Sequence, residues 1–333
     1  MAEILPTYAD VLAAGARLAG RVVATPLLSH PRLDEITGGR IFLKAEPLQR
    51  TGSFKFRGAT NAVLQLPEGA RAGGIVTYSS GNHGQAVAAA AAAAGLAAHV
   101  FMPADAPAIK RESTRRWGAE IRLYDRARED REALARAFAE AHGATIISPF
   151  DHPAVIAGQG TLALEIFAEC RARGEAPEAL LVCTGGGGLI AGCALAASGA
   201  ASETRVYAVE PEGWDDTRRS LAAGERLANP QGGSTFCDAL LAPTPGRLTF
   251  EVNRRLLAGG IAVSEAEVRA AMAFAFRHLK LVVEPGGAVA LAALLAGKFP
   301  AKGRVVAAVI SGGNVDPGVF ASVIGAQSPG EEG

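Results

Sequence analysis

Short apolar runs rich in β-branched residues alternate with alanine-rich stretches of helical length along almost the whole chain. That alternation constrains the fold more than any other feature. IFLKAE (41–46), GIVTYSS (74–80), AAHVFM (97–102), EIRLYD (120–125), TIISPF (145–150), ALLVCTGG (179–186), RVYAVEP (205–211) and RVVAAVISGG (304–313) read as strands. Between them, GQAVAAAAAAAG, REALARAFAEAHG, GTLALEIFAECRARG and SEAEVRAAMAFAFRHLK read as helices. Parallel strands need crossover connections, which helices supply, so this pattern predicts an α/β fold of parallel sheets with helices on both faces. This many strands suit two open sheets better than one. PEGARAGG (67–74) and SPFDHPAVIAG (148–158) mark the candidate boundaries. Residues 1–68 with 150–333 are expected to form a large domain and 69–149 a small one. Ligands of such sheets bind beyond the carboxyl ends of the strands, so the loops there are where chemistry is sought.

A formal net charge of zero over 333 residues leaves no electrostatic footprint for nucleic acid, and no basic run suggests an anionic membrane. The N-terminal segment lacks the basic-then-apolar order of a signal peptide. No apolar run reaches membrane-spanning length. The four cysteines (Cys170, Cys183, Cys193 and Cys237) have no CxxC spacing and read as reduced, packed thiols, so a cytoplasmic location is expected. The expected partners are small molecules and further copies of the chain.

Four loops carry the candidate chemistry. In TGSFKFRGA (51–59), Lys55 stands between two phenylalanines in the first turn of a helix that Thr51 or Ser53 could cap. Desolvation and the positive helix end both lower an amine's pKa, and a neutral amine condenses with aldehydes. The competing reading is a surface lysine whose stem covers the rings. CTGGGGLIAG (183–192) follows a strand and precedes a helix, as a phosphate cradle does. Gly186, Gly188 and Ala191 also fit G-x-G-x-x-A, with Glu210 ending the next strand, so an NAD-dependent dehydrogenase is a rival. That rival gives Lys55 no role. TYSSGNHGQAVA (77–88) gathers Ser79, Ser80, Asn82 and His83 at a helix N-terminus, suited to an oxyanion or to an ordinary capped turn. VISGGNVD (309–316) places Ser311 at a strand end, where a lone serine is usually structural.

Taken together, TGSFKFRGA, SSGNHGQA, GGGG and SGGN, with DHPAVIAGQGTLALEI (151–166) and VVEPGGAVALAALL (282–295), resemble the fold-type II pyridoxal-phosphate enzymes. The resemblance is to the threonine/serine dehydratase (ammonia-lyase) and serine racemase group, in family order over about residues 20–316. It implies the tryptophan synthase β-like architecture, with the active site between the domains. Lys55 would hold the cofactor as a Schiff base with Phe54 beside it, and Gly185, Gly186, Gly187 and Gly188 would hold the phosphate. Asn82 would donate to the ring phenolate oxygen. Ser311 would face the pyridine nitrogen, where a hydroxyl does not enforce ring protonation. Glu284 would buttress the ring, a helical pair with Lys280 being the alternative.

The activity implied is α,β-elimination from a small β-hydroxy amino acid such as threonine or serine, giving a 2-oxo acid and ammonia. Racemisation and 3-hydroxyaspartate dehydration are the alternatives on the same scaffold. Freed Lys55 would take the α-proton; Ser79, Ser80, the backbone of Gly81 and His83 would seat the substrate carboxylate. Ser80, a serine as in the racemase-like members, could also carry a proton on the opposite face. Arg136 falls near an arginine that contacts substrate in the racemases. EPEGWDD (210–216) resembles their cation site, with Glu210 and Asp216 giving carboxylates and Trp214 a carbonyl to Mg²⁺ or Ca²⁺. The family resemblance also implies a homodimer.

Overall fold

A computed structural model describes residues 4–79, 81–106, 108–230 and 235–325. Ten strands occur among them: β1 (Leu27–Leu28), β2 (Arg40–Ala45), β3 (Ile75–Tyr78), β4 (Ala98–Pro103), β5 (Glu120–Tyr124), β6 (Thr145–Ile146), β7 (Ala179–Cys183), β8 (Arg205–Pro211), β9 (Leu257–Val263) and β10 (Val305–Ile310). They form a six-stranded sheet, ordered β1-β2-β10-β7-β8-β9, and a four-stranded sheet, ordered β5-β4-β3-β6. Every pairing is parallel except β1 with β2. The four-stranded sheet is drawn wholly from residues 75–146, and the six-stranded sheet from the chain on either side. The expected α/β class of two parallel sheets is what the structure has.

The strands of the larger sheet are apolar throughout because both faces are covered. In β7, Leu181 and Cys183 enter one core while Leu180 and Val182 enter the other; in β10, Val306, Ala308 and Ile310 part in the same way from Ala307 and Val309. That is the two-residue period of a strand serving two layers. The alanine tract becomes the helix Asn82–Ala93, whose small side chains bury against β4 and the helix Lys55–Leu64 in a third core. In DHPAVIAGQG the glycines serve close helix contacts. A Cβ on Gly158 would meet Gly58 Cα at 2.7 Å, and one on Gly160 would meet the Gly192 carbonyl oxygen at 2.5 Å.

At three places the structure departs from the sequence pattern, each for a local reason. LAGGIAV (257–263) forms the edge strand β9 although its two glycines hide the β pattern. TIISPF pairs over only two residues before Ser148–His152 leave as the connection back to the large sheet. The helical stretch from 265 is α-helical to Phe274, continues as a π turn to Leu279, and stops at Lys280, whose φ is +59°. Among the described residues no helix is long and apolar enough to cross a membrane.

A buried ionic cluster fixes the helix that begins at Lys55. Arg57 donates from Nε and a terminal nitrogen to both oxygens of Glu46 at 2.9 and 2.8 Å, and to both oxygens of Glu165 at 2.6 and 2.9 Å. Lys44 Nζ completes the cluster on Glu165 at 2.7 Å and Glu169 at 3.1 Å.

Candidate active site

The loops after β2, β3, β7 and β10 converge on one cleft between the carboxyl ends of the two sheets. Lys55 opens its helix inside that cleft. The residue before it, Phe54, is the helix N-cap and supplies no side-chain cap; Thr51 and Ser53 do not cap either. Their hydroxyls are buried without a partner, because the turn is held by backbone bonds instead. Phe54 N donates to Ser311 O at 3.1 Å, Gly313 N donates to Gly52 O at 2.9 Å, and Ser53 bridges to Gly312. The lysine loop is thus stitched to the loop after β10. Lys55 Nζ lies 5.1 Å from the Phe54 ring centre and donates to Pro149 O at 2.6 Å. Desolvation pushes its pKa down to about 8, with the Glu284 carboxylate pulling the other way.

The four glycines form a bend with no room for side chains. Cβ atoms on Gly186 and Gly188 would run into Phe150, and one on Gly187, where φ is +90°, would lie 2.8 Å from Asn253 Nδ2. Gly185 faces Leu240. Gly187 caps the helix Gly188–Ala200, so its first-turn amides and helix dipole face the cleft from the glycine side. This is the geometry of a seat for a phosphate dianion. Ser311, buried at the end of β10, lines the same cleft.

Asn82 begins the helix after β3. Its Nδ2 donates to Glu284 Oε1 at 2.5 Å, and its Oδ1 accepts from Asn314 Nδ2 at 2.8 Å. Glu284 therefore faces Asn82 and not Lys280, whose Nζ donates to Arg277 O at 2.6 Å. Burial raises the Glu284 pKa to about 7, against the nearby Lys110 cation. Ser79 Oγ accepts from Gly81 N at 3.2 Å, which closes the loop. His83 is buried, its Nε2 is 3.1 Å from Ile147 O, and desolvation pushes its pKa down to about 3. The neutral ring thus donates to a strand-end carbonyl, leaving Nδ1 as an acceptor. Ser80 lies outside the described residues.

Lys110, Asp238, Arg131 and Tyr78 also line the cleft and were not anticipated. Lys110, on the helix Ala108–Arg116, forms an ion pair with Asp238 from the other side of the cleft. Arg131 lies over the Tyr78 ring at 5.4 Å. Arg136 is exposed and does not line the cleft, whereas Arg131 does. Nothing in APAIKRESTRR or REDREAL separates these two cations from their solvated neighbours; only the tertiary fold does so.

Away from the cleft, Glu210 accepts from Thr217 N at 2.9 Å and Arg218 N at 2.8 Å. Asp216 Oδ1 accepts from Asn229 Nδ2 at 2.7 Å, while Oδ2 is buried without a partner. Desolvation first, and the neighbouring Asp216 charge second, raise the Glu210 pKa to about 8; desolvation raises that of Asp216 to about 6. Trp214 closes the intervening turn by donating from its N–H to Pro211 O at 3.0 Å. Among the described residues no group of three or more His, Cys, Asp or Glu side chains could hold a metal ion.

A lysine amine with a lowered pKa and a glycine bend at a helix N-terminus, both facing one cleft between the two sheets, are the two features that an aldehyde-and-phosphate cofactor requires. Residues 18–312 match the family described as pyridoxal-phosphate dependent enzyme, and the chain belongs to that family. An L-threo-3-hydroxyaspartate ammonia-lyase of Pseudomonas sp is 42% identical to it, covering 96% of this chain and 99% of the relative. A serine racemase of Schizosaccharomyces pombe is 40% identical over 94% of this chain and 95% of its own. Among solved structures, a threonine deaminase from T.th. superposes with a TM-score of 0.87 at 42% identity, covering 93% of this chain and 99% of that one. The family match decides against the dinucleotide reading of the glycine loop: the cofactor is pyridoxal phosphate.

Proposed function

We propose that this enzyme is an ammonia-lyase that removes water across Cα and Cβ of a small β-hydroxy amino acid, giving a 2-oxo acid and ammonia. The observation that carries the reading is Lys55, a half-buried lysine that lines the same cleft as the glycine bend and whose amine is held below its ordinary pKa by desolvation. Bound pyridoxal phosphate supplies an electron-withdrawing ring that acidifies the α-proton of an attached amino acid. Gly185, Gly186, Gly187 and Gly188 hold its phosphate through backbone amides. Asn82 donates its second amide hydrogen to the phenolate oxygen, and Ser311 places a hydroxyl at the pyridine nitrogen. Phe54 and Glu284 bound the ring. Lys55, as the neutral amine, takes the proton from Cα. Ser79 and the amides at Gly81 and Asn82 seat the substrate carboxylate, with His83 holding their loop through Ile147.

Arg131 favours a substrate that carries a second carboxylate, because a guanidinium at the cleft wall pairs with a planar anion in bidentate fashion. The name of the Pseudomonas relative points the same way, to 3-hydroxyaspartate. Racemisation is the second reading, favoured by the 40% identity to a serine racemase. Its proton donor on the far face would be Ser80.

We further propose that Glu210, Asp216 and the Trp214 carbonyl hold Mg²⁺ or Ca²⁺, which would take up the unpartnered Asp216 oxygen and relieve the repulsion of two buried carboxylates. Residues 1–68 with 150–333 act as the large domain and 69–149 as the small one. A homodimer is part of the proposal, with the exposed Phe276 as a candidate contact. A cytoplasmic setting is supported by four buried free cysteines.

Ammonia and 2-oxo acid release from threonine, serine and the 3-hydroxyaspartate stereoisomers, with chiral analysis of the remaining substrate, tests the reading. Turnover is expected to be highest with 3-hydroxyaspartate. Inversion without ammonia release would replace the lyase by a racemase, and silence with every substrate would refute both.

A further inference from the structure

A side-chain amide has two ends of nearly equal size and opposite chemistry, so an asparagine that must donate to a ligand needs something to stop it turning over. Here the constraint is a chain of hydrogen bonds between two fixed acceptors. At one end the Thr51 carbonyl oxygen accepts from Asn314 Nδ2 at 2.8 Å. The same nitrogen donates to Asn82 Oδ1 at 2.8 Å, although the two asparagines are 232 residues apart. At the other end Asn82 Nδ2 donates to Glu284 Oε1 at 2.5 Å. A carbonyl oxygen can only accept, so Asn314 must turn its NH₂ towards Thr51. That same group then requires an oxygen from Asn82, and the Asn82 NH₂ is forced to the opposite side. Turning Asn82 over would set NH₂ against NH₂ and carbonyl oxygen against the Glu284 carboxylate.

Asn314 is itself clamped. Gly52 has a φ of +72°, and a Cβ there would lie 2.5 Å from Asn314 Oδ1 and 3.1 Å from Nδ2. The loop after β10 is bonded to the lysine loop at the same point, through Gly313 N to Gly52 O at 2.9 Å. Asn314 therefore joins three loops: the one carrying Lys55, the one carrying Ser311 and the one carrying Asn82.

We propose that Asn314 is a positioning residue that fixes the orientation of the Asn82 amide, so that its NH₂ faces the cofactor's phenolate oxygen. The inference rests on the reading of Asn82 as donor to that oxygen. Asn314 touches neither cofactor nor substrate; it acts through Asn82.

The test uses the full-length protein stripped of and titrated with pyridoxal phosphate, reading its dissociation constant by equilibrium dialysis and the absorption maximum of the bound form across pH. Asn314→Asp keeps the shape over Gly52 but removes both donors, and Asn314→Ser is a neutral second variant should the first fail to fold. Each is expected to raise the dissociation constant at least about tenfold and to shift the absorption maximum, as the loss of a donor to a charged oxygen does. Asn82→Ala is expected to do the same. Adding Asn314→Ser to Asn82→Ala should then change neither readout further, since residues acting through one contact are not additive. If Asn82→Ala weakens binding while both Asn314 variants bind and absorb like wild type, the inference fails alone. Effects that multiply in the double variant also overturn it. If Asn82→Ala binds the cofactor normally, the reading of Asn82 fails and takes the inference with it.

Discussion

The Lys55 amine donates to the Pro149 carbonyl oxygen at 2.6 Å, across 94 residues of sequence. Pro149 lies in the short connection from the four-stranded sheet back to the six-stranded one, and the next residue, Phe150, packs against the glycine bend. One stretch of backbone therefore touches the amine and braces the glycine bend.

Burial holds the Lys55 pKa at about 8, so the ammonium predominates below that pH and the free amine above it. In the cofactor-free protein, acetylation of position 55 by acetic anhydride should rise through a midpoint at that pH, read by peptide mass spectrometry. An ordinary lysine titrates at about 10.4, and a midpoint there would remove the basis for calling this amine activated. Lys55→Ala should lose all ammonia release.

Gly186→Ala drives a methyl group into the Phe150 ring. Overpacking of this kind costs about 1–3 kcal/mol, and the bend can escape it only by moving away from its anion. Cofactor affinity should fall, and Phe150→Ala in the same chain should restore part of it. Normal affinity in Gly186→Ala would mean that the phosphate rests elsewhere.

Arg131→Ala should cost about a hundredfold in kcat/KM on 3-hydroxyaspartate, the scale of a lost charge-assisted pair, and much less on serine. Equal losses on the two substrates would show that the guanidinium supports the fold of the cleft wall and does not read the side chain.

Mg²⁺ or Ca²⁺ should raise the Tm of the wild-type protein, and Asp216→Asn should lose that increment while keeping the cofactor's colour. An Asp216→Asn protein that still responds to the cations would place their site elsewhere.

Arg57→Met should destabilise the protein by about 3–5 kcal/mol in urea unfolding, because Glu46 and part of Glu165 are left as buried charges without their partner. A change under about 1 kcal/mol would mean that water reaches the cluster.

The loops that line the cleft were legible because each announces itself locally: a lysine among aromatics, four consecutive glycines, a serine at a strand end. The parallel sheets were legible because strands buried on two faces leave unbroken apolar runs. What escaped was long-range or disguised. Lys110 differs from its solvated neighbours only by meeting Asp238 from 128 residues away. Strand β9 carries glycines that depress any β pattern. Thr51 and Ser53 look like helix caps, yet the backbone bonds to the loop after β10 displace that role.

Strand β10 lies between β2 and β7 although it is the last strand among the described residues. The sheet consequently has a gap at its centre until residue 310 has been synthesised, and Gly52 has nothing to pair with before Gly313 arrives. During translation the amine at position 55 exists long before the scaffold that aims it. On the proposed role of Lys55, capture of vitamin B6 therefore waits for strand β10 and the loop that follows it.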